Sequence, residues 1–426
     1  TSTFYWVSQL GMLPGTLVYV NAGTELGAVD SLAGVLSPGL VASFVLLGLF
    51  PLLARWVLAR VQARRVYARW TRPARFERNL VVIGAGAAGL VTAYIAAAVK
   101  AKVTLVEAHR MGGDCLNTGC VPSKALIRSA RLAHHIRHAE RYGLEPGEPA
   151  IDFRKLMARV RAVIRRIEPH DSTERYRALG VEVLQGRACI VDPWTVEVAL
   201  KDGGTRRLTT RSIVIATGAR PTVPPLPGLD AVGYLSSDTV WEAFARLDAP
   251  PRRLVVLGGG PIGCELAQCF ARLGSQVTQI GRAPQLLPRE DEDVAAFARA
   301  TLERDGVQVL TGFEALRCER EDTPDGPRKF IVVARAGEEL RIEFDALLCA
   351  VGRVARLDGY GLEEIGIPVQ RTVVTNEYLE TLYPNIYAAG DVAGPYQFTH
   401  VAAHQAWYAA VNALFGKLKR FKVDYR

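Results

Sequence analysis

The chain has 426 residues, 49% of them hydrophobic and 22% charged, with a formal net charge of +9. That length predicts two or three domains, each with its own core. Seven cysteines at mostly irregular positions exclude a secreted disulfide framework and suit a reducing compartment, and basic charge that is not gathered on one face excludes a nucleic-acid partner.

The basic charge gathers instead beside an apolar segment near the start. From Ser31 to Ala54 no charged residue occurs, and 24 residues at helical rise can cross a hydrocarbon core of roughly 30 Å. The segment is therefore predicted to span a membrane, kinked at Pro38 and Pro51, with a buried or re-entrant hairpin as the alternative. Arg55, Arg60, Arg64, Arg65, Arg69, Arg72, Arg75 and Arg78 follow, opposed only by Glu77. Such a flank marks the cytoplasmic side and attracts anionic lipid, so the expected location is the bacterial inner (plasma) membrane with the rest of the chain facing the cytoplasm. The preceding stretch "LGMLPGTLVYVNAGTELG" resembles the C-terminal part of DedA-like (SNARE-associated) membrane domains, in which a Pro-Gly motif breaks the chain at membrane depth. The resemblance implies that residues 1–72 are a membrane segment with a basic linker, and that more of that domain precedes Thr1.

A second uncharged run, from Asn79 to Val99, has a different pattern. "LVVIG" reads as a short strand, "GAGAAG" places Gly84, Gly86 and Gly89 at dinucleotide-fingerprint spacing, and an Ala-rich helix leads to the strand "VTLVE". The glycines serve a tight turn, close approach of backbone to a pyrophosphate, and helix-to-strand packing, with the phosphate at the helix N-terminus. Glu107 closes the unit, where a carboxylate can accept hydrogen bonds from both ribose hydroxyls of an adenosine.

Next comes "GGDCLNTGCVPSK", residues 112–124, with Cys115 and Cys120 five positions apart. Four intervening residues let two thiols meet across a distorted helical turn, and Gly113 and Gly119 supply the freedom to bend. Metal ligands, buried filler and a redox pair all remain open on spacing alone. Cys189, Cys264, Cys269, Cys318 and Cys349 read as ordinary core residues. "FRKLMARVRAVIRRI" has the period of a helix with a basic face, and short strands follow to Thr217. His134, His135, His138 and His400 lack metal-ligand spacing, and no metal site is expected.

Residues 254–282 repeat the first unit at an ungapped offset of 174, so that Gly258, Gly260 and Gly263 fall on Gly84, Gly86 and Gly89. Two dinucleotides are therefore expected. Gly281 stands in place of Glu107 and Arg282 follows it, a loss of an anion and gain of a cation that suits the 2′-phosphate of NADPH over NADH. A solvated surface arginine is the alternative. Glu265 stands where the first copy has Val91, and a charge inside an apolar helix calls for a partner.

With the cysteine stretch directly behind the first unit, the chain resembles the class I pyridine nucleotide-disulfide oxidoreductases, which include dihydrolipoamide dehydrogenase, glutathione reductase and mercuric reductase. The resemblance runs from about Leu80 to Phe415 and rests also on "IVIATGARP" (Thr217, Gly218), "LLCAVGR" (Gly352) and "NIYAAGDVA" (Gly390, Asp391). It implies an α/β fold of two Rossmann-like domains of the glutathione reductase type behind the transmembrane helical segment. An FAD-binding domain is expected over 79–224 and 346–426, and an NAD(P)-binding domain over 225–345. The first unit would hold the ADP half of FAD, with Asp391 approaching the ribityl chain, and the second unit the nicotinamide nucleotide. Cys120 would lie next to the flavin as the charge-transfer thiolate, Cys115 would be the interchange thiol, and Lys124 would sit near flavin N5, paired with Glu265.

The implied activity is transfer of electrons from NADPH or NADH through FAD to a Cys115–Cys120 disulfide and on to a small-molecule or metal-ion acceptor, a disulfide or Hg(II). The alternatives are a membrane NAD(P)H dehydrogenase that reduces a quinone without the cysteines, and a non-catalytic redox sensor or membrane scaffold. The chain departs from the family at Asp114, where Thr is usual, and at Thr118, where Val is usual. Relatives continue for another hundred or so residues into a dimer-interface domain that often carries a His-Glu acid/base pair. That domain is expected to lie outside this stretch of sequence, His400 and His404 do not match the pair, and a homodimer is expected when the domain is present.

Overall fold

The computed structural model describes residues 2–27, 38–324 and 326–425, and the chain divides into two units, Thr1–Thr71 and Arg72–Arg426. In the first unit, helices cover Ser2–Gly27 and Pro38–Tyr67. Two expectations change here. Pro14 and Gly15 lie inside a continuous helix instead of breaking it, and Gly15 gives close approach to the Phe50 ring, 3.2 Å from where a Cβ would stand. Of the expected transmembrane span, residues 31–37 lie outside the described residues. The uncharged helical part from Pro38 to Ala54 is about 26 Å long before Arg55 intervenes. No helix among the described residues is long and apolar enough to cross a membrane.

In the second unit the β-branched runs become parallel strands, buried on both faces as such strands require. The first sheet sets Glu182–Asp192, Val103–Glu107, Arg78–Ile83, Thr205–Ile215 and Ile386–Ala388 side by side in parallel. The two long strands, Glu182–Asp192 and Thr205–Ile215, run on to pair antiparallel with Thr195–Leu200. The chain leaves Arg78–Ile83 toward one side of the sheet and returns on the other through Thr205–Ile215. A topological switch point therefore lies between those strands, where ligands bind open α/β sheets.

The second sheet repeats this plan with Gln308–Thr311, Gln276–Gly281, Arg253–Leu257, Ala346–Cys349 and Leu235–Ser236, all parallel. Its switch point lies between Arg253–Leu257 and Ala346–Cys349. The latter strand corrects the boundary expected at Ala346, because the chain returns toward the first sheet only after Cys349. An antiparallel meander, Glu314–Thr323, Gly326–Arg335 and Glu338–Phe344, flanks the second sheet, and Arg353–Ala355 pairs with Ala219–Pro221 between the two sheets.

The basic-faced helix forms over Phe153–Ile167, capped by Asp152, whose side chain accepts from Lys155 N. It buries Phe153, Met157 and Val160 against helix Cys120–Arg137, in one hydrophobic core with Phe244, Leu254 and Phe270 of the second-sheet region. The helix that carries the cysteines is thus rooted in the second sheet's core, while its first residues face the first sheet's loops. Of the cysteines read as core, Cys269, Cys318 and Cys349 are buried, Cys264 is half-buried and Cys189 is exposed. Cys189 departs from expectation because its strand alternates, and its side chain falls on the outer face.

Candidate active site

Each glycine-rich loop follows the central strand of its sheet at the switch point. Gly84 and Gly258 have φ of +101° and +132°, and a Cβ would stand 2.4 Å from Ala216 O or 2.2 Å from Ala350 O. Only glycine makes both turns. Gly89 and Gly263 settle how closely helices Ala87–Ala98 and Pro261–Arg272 seat, since a Cβ there would meet Gly84 O at 1.8 Å or Gly258 O at 2.4 Å. At Gly260 a Cβ would meet nothing within 4 Å, and at Gly86 only Gly113 Cα at 3.9 Å. These two leave open space at a helix N-terminus.

A cavity of about 1920 Å³ runs along the carboxyl ends of both sheets. Cys115, Cys120, Lys124, Glu265, Gly84, Gly86, Glu107, Thr217, Gly218, Gly258, Gly260, Arg282, Gly352, Gly390 and Asp391 all line it, whereas Gly89 and Gly263 lie behind it in the packing. Glu107 does more than the sequence suggested. Its two oxygens accept from the backbone N–H groups of Ala85 (2.6 Å) and His109 (2.7 Å), bracing the first loop at the cavity wall. Arg282 is exposed on the cavity wall after the strand Gln276–Gly281.

Gly113 lies so close to the first loop that a Cβ would stand 2.6 Å from Gly86 Cα, which puts the cysteine loop directly on the dinucleotide loop. Cys115 is the central residue of the short helix Gly113–Asn117 and Cys120 opens the helix Cys120–Arg137. Both are free thiols, and each shifts the other's titration. Cys120 is held down to about 5, first by the bond from Cys115, then by the Thr399 hydroxyl at 3.4 Å and the Lys124 charge, all acting against burial. Cys115 is pushed up, by donating that bond and by burial. The surroundings therefore favour a thiolate on Cys120 over one on Cys115.

Lys124 lies one helical turn beyond Cys120, and its Nζ is 2.7 Å from each carboxylate oxygen of Glu265. The side chains remain 59% and 42% exposed, so the pair is worth only ~0.2–1 kcal/mol and its consequence is the position of the ammonium. Burial raises the Asp391 carboxyl, opposed by Arg353. His134 faces Asp305 at 3.3 Å and His400 stacks on Phe398, both in packing roles.

Three residues that sequence reasoning passed over complete the site. Thr399 opens the helix Thr399–Phe415, 279 positions from Cys120. Arg353 pairs with Asp114 and donates to Ala219 O (3.2 Å) and Ser237 Oγ (3.1 Å). Trp241 Nε1 donates to Thr118 O at 2.7 Å. Arg353 was adjacent to the recognised "AVGR" glycine, but no spacing rule linked Thr399 or Trp241 to the cysteines.

A family model described as pyridine nucleotide-disulphide oxidoreductase matches residues 78–406. The chain belongs to that family. It is 37% identical over 340 residues to a dihydrolipoyl dehydrogenase of Thermus scotoductus and 38% identical over 342 residues to a mercuric reductase of Streptomyces lividans. Each match covers 79% of this chain and 70% of the relative. The HOCl-induced flavoprotein disulfide reductase RclA from Escherichia coli has the same fold, with a TM-score of 0.68, 29% identity, and coverage of 82% of this chain and 73% of that one. The family match begins at Arg78, so the DedA-like reading of residues 1–72 receives no support from it.

Pyridine nucleotide-disulphide oxidoreductases are enzymes that bind FAD and NAD(P)H. The residues present fit both groups. The first loop, Glu107, Thr217, Gly218 and Asp391 face the cavity around the cysteines, and the open space at Gly86 and Gly260 is what a pyrophosphate approaching backbone requires.

Proposed function

We propose that the chain is a FAD-dependent NAD(P)H:disulfide oxidoreductase whose Cys115–Cys120 pair passes electrons to a thiol-reactive acceptor. The observation that carries this reading is the pair of free thiols, Cys115 and Cys120, in the cavity lined by both glycine loops, with Thr399 3.4 Å from Cys120. FAD, when bound, supplies two-electron chemistry between the nicotinamide and the disulfide. Two electrons and one proton open the disulfide into the Cys115 thiol and the Cys120 thiolate, the charge distribution the hydrogen bonds favour. Cys115 then loses its proton as its sulfur attacks a disulfide acceptor and expels one thiolate. Cys120 attacks the mixed disulfide at Cys115, expels the second thiol and restores the starting bond. Lys124 holds positive charge beside Cys120 throughout, kept in place by Glu265. The acceptor is a disulfide, or Hg(II) as the names of the mercuric reductase relatives have it.

NADPH is the preferred donor on this reading, because Gly281 replaces the carboxylate that ends the first unit and the cationic Arg282 follows it. Attachment to a bacterial inner membrane belongs to the same proposal. It rests on the arginine run from Arg55 to Arg78 and on exposed apolar side chains such as Leu17, Tyr19, Leu49 and Leu52 of the first unit. A homodimer is proposed from the family resemblance alone.

An anaerobic titration of the FAD-loaded protein tests the redox pair. The parent should consume about two equivalents of NADPH, one for the cofactor and one for the disulfide, and Cys115→Ser about one. A parent that accepts only one equivalent, yet turns over a quinone as fast as Cys115→Ser does, would replace this reading with quinone reduction.

A further inference from the structure

We propose that Trp241 and Asp114 are positioning residues: together they clamp the cysteine loop to the Ser237–Glu242 segment of the second sheet and so set the redox poise of the Cys115–Cys120 pair. The proposal rests on the reading of that pair as a redox couple.

The two attachments fall on either side of the reacting sulfurs. Asp114 directly precedes Cys115 and pairs with Arg353, which also donates to Ser237 Oγ at 3.1 Å and faces Asp238 at 3.6 Å. Thr118, two residues before Cys120, accepts through its carbonyl from Trp241 Nε1 at 2.7 Å, and the same indole N–H reaches Ser237 O at 2.9 Å. Trp241 is 8% exposed and the Arg353 side chain 14%, while Asp114 is 43% exposed, so the indole contact is the better shielded of the two. Trp241 belongs to the helix Val240–Phe244 and to the hydrophobic core shared with helix Cys120–Arg137. The segment is thus fixed at its own base.

The turn between the two sulfurs is irregular. Between the two short helical stretches, Thr118 and Gly119 leave helical geometry, with φ of −136° and −111°. Within the loop, Thr118 N and Gly119 N both donate to Asp114 O, so a shift of Asp114 moves the whole turn. A disulfide forms in proportion to the time its two thiols spend in bonding range, and freeing backbone around them lowers that fraction. Releasing either attachment should favour the open dithiol. Asp114 is also the position at which this chain departs from the family's usual Thr, so one end of the clamp is a feature of this sequence.

The test equilibrates the parent, Trp241→Phe and Asp114→Asn in oxidised and reduced dithiothreitol and quantifies Cys115 and Cys120 by alkylation and peptide mapping. Trp241→Phe keeps the buried ring and removes the donor. Asp114→Asn keeps the volume and removes the charge. Each variant is expected to lower the disulfide-forming equilibrium three- to tenfold, a shift of up to about 30 mV toward easier reduction, with the double variant lower still. Thermal midpoint and FAD content establish that a variant is folded, and if Trp241→Phe does not fold, Asp114→Asn decides alone. Variants that titrate within twofold of the parent overturn the clamp and leave the redox couple standing. A parent that forms no Cys115–Cys120 disulfide at any poise overturns the couple and the clamp together.

Discussion

The Thr399 hydroxyl lies 3.4 Å from Cys120 Sγ and helps to hold that sulfur ionised. Cys120 is held down to about 5 by bonds from Cys115 and Thr399 and by the Lys124 charge, so it is ionised above that pH and protonates as the pH falls through it. We predict that Thr399→Ala moves the midpoint of Cys120 ionisation upward, read as ultraviolet thiolate absorbance of the reduced protein. An unmoved midpoint would leave Cys115 and Lys124 as the whole cause. Arg282 provides a second residue-scale prediction. Arg282 lines the cavity directly after the strand Gln276–Gly281, one position beyond Gly281, the counterpart of Glu107. Arg282→Ala should raise KM for NADPH about tenfold, or ~1.4 kcal/mol, and leave KM for NADH within about twofold. Equal losses with both donors would make Arg282 a general contact and not a 2′-phosphate reader.

At the scale of the element, the two glycine loops separate packing from binding. A methyl at Gly263 would stand 2.4 Å from Gly258 O, so Gly263→Ala must push helix Pro261–Arg272 off its strand and should lower Tm by several degrees. A methyl at Gly260 meets no protein atom within 4 Å, and its φ of −83° suits alanine. Gly260→Ala should therefore fold with an unchanged Tm and full FAD content while KM for NADPH rises at least about tenfold, because the methyl fills the space a pyrophosphate needs. Both loops were legible in the sequence because glycine spacing, strand and helix are local patterns, and the helix Phe153–Ile167 was legible for the same reason. The contacts at the centre of the site were not. Trp241 to Thr118 spans 123 positions and Arg353 to Asp114 spans 239, and they meet only because two sheets and a shared core bring them together. The N-terminal helices mark the opposite limit. Apolar run length alone suggested a span, but the described helix reaches Arg55 too soon, and Pro14 does not break the helix it sits in.

The molecule as a whole joins its redox pair to its second sheet through one core. Helix Cys120–Arg137 contributes Ala125, Leu126 and Ala130 to the cluster that contains Phe244, Leu254, Phe270 and Val277, while the first sheet packs around a separate cluster of Leu80, Val82, Leu105 and Ala406. Phe270, 1% exposed, meets Phe244 edge-on at 5.0 Å between ring centres. Phe270→Ala should cost about 3–5 kcal/mol, most of it as an unfilled cavity. Because that cavity lies beneath both the second sheet and the cysteine helix, the loss should spread in a defined direction. Hydrogen exchange should rise together in Pro261–Arg272, Arg253–Leu257 and Cys120–Arg137, and remain slow in Arg78–Ile83 and Val103–Glu107 of the first sheet. Exchange that rises equally in the first sheet would mean that the two cores unfold as one cooperative unit. Exchange that spares Cys120–Arg137 would detach the redox helix from the second sheet, and with it the physical basis for coupling nucleotide binding to the position of the sulfurs.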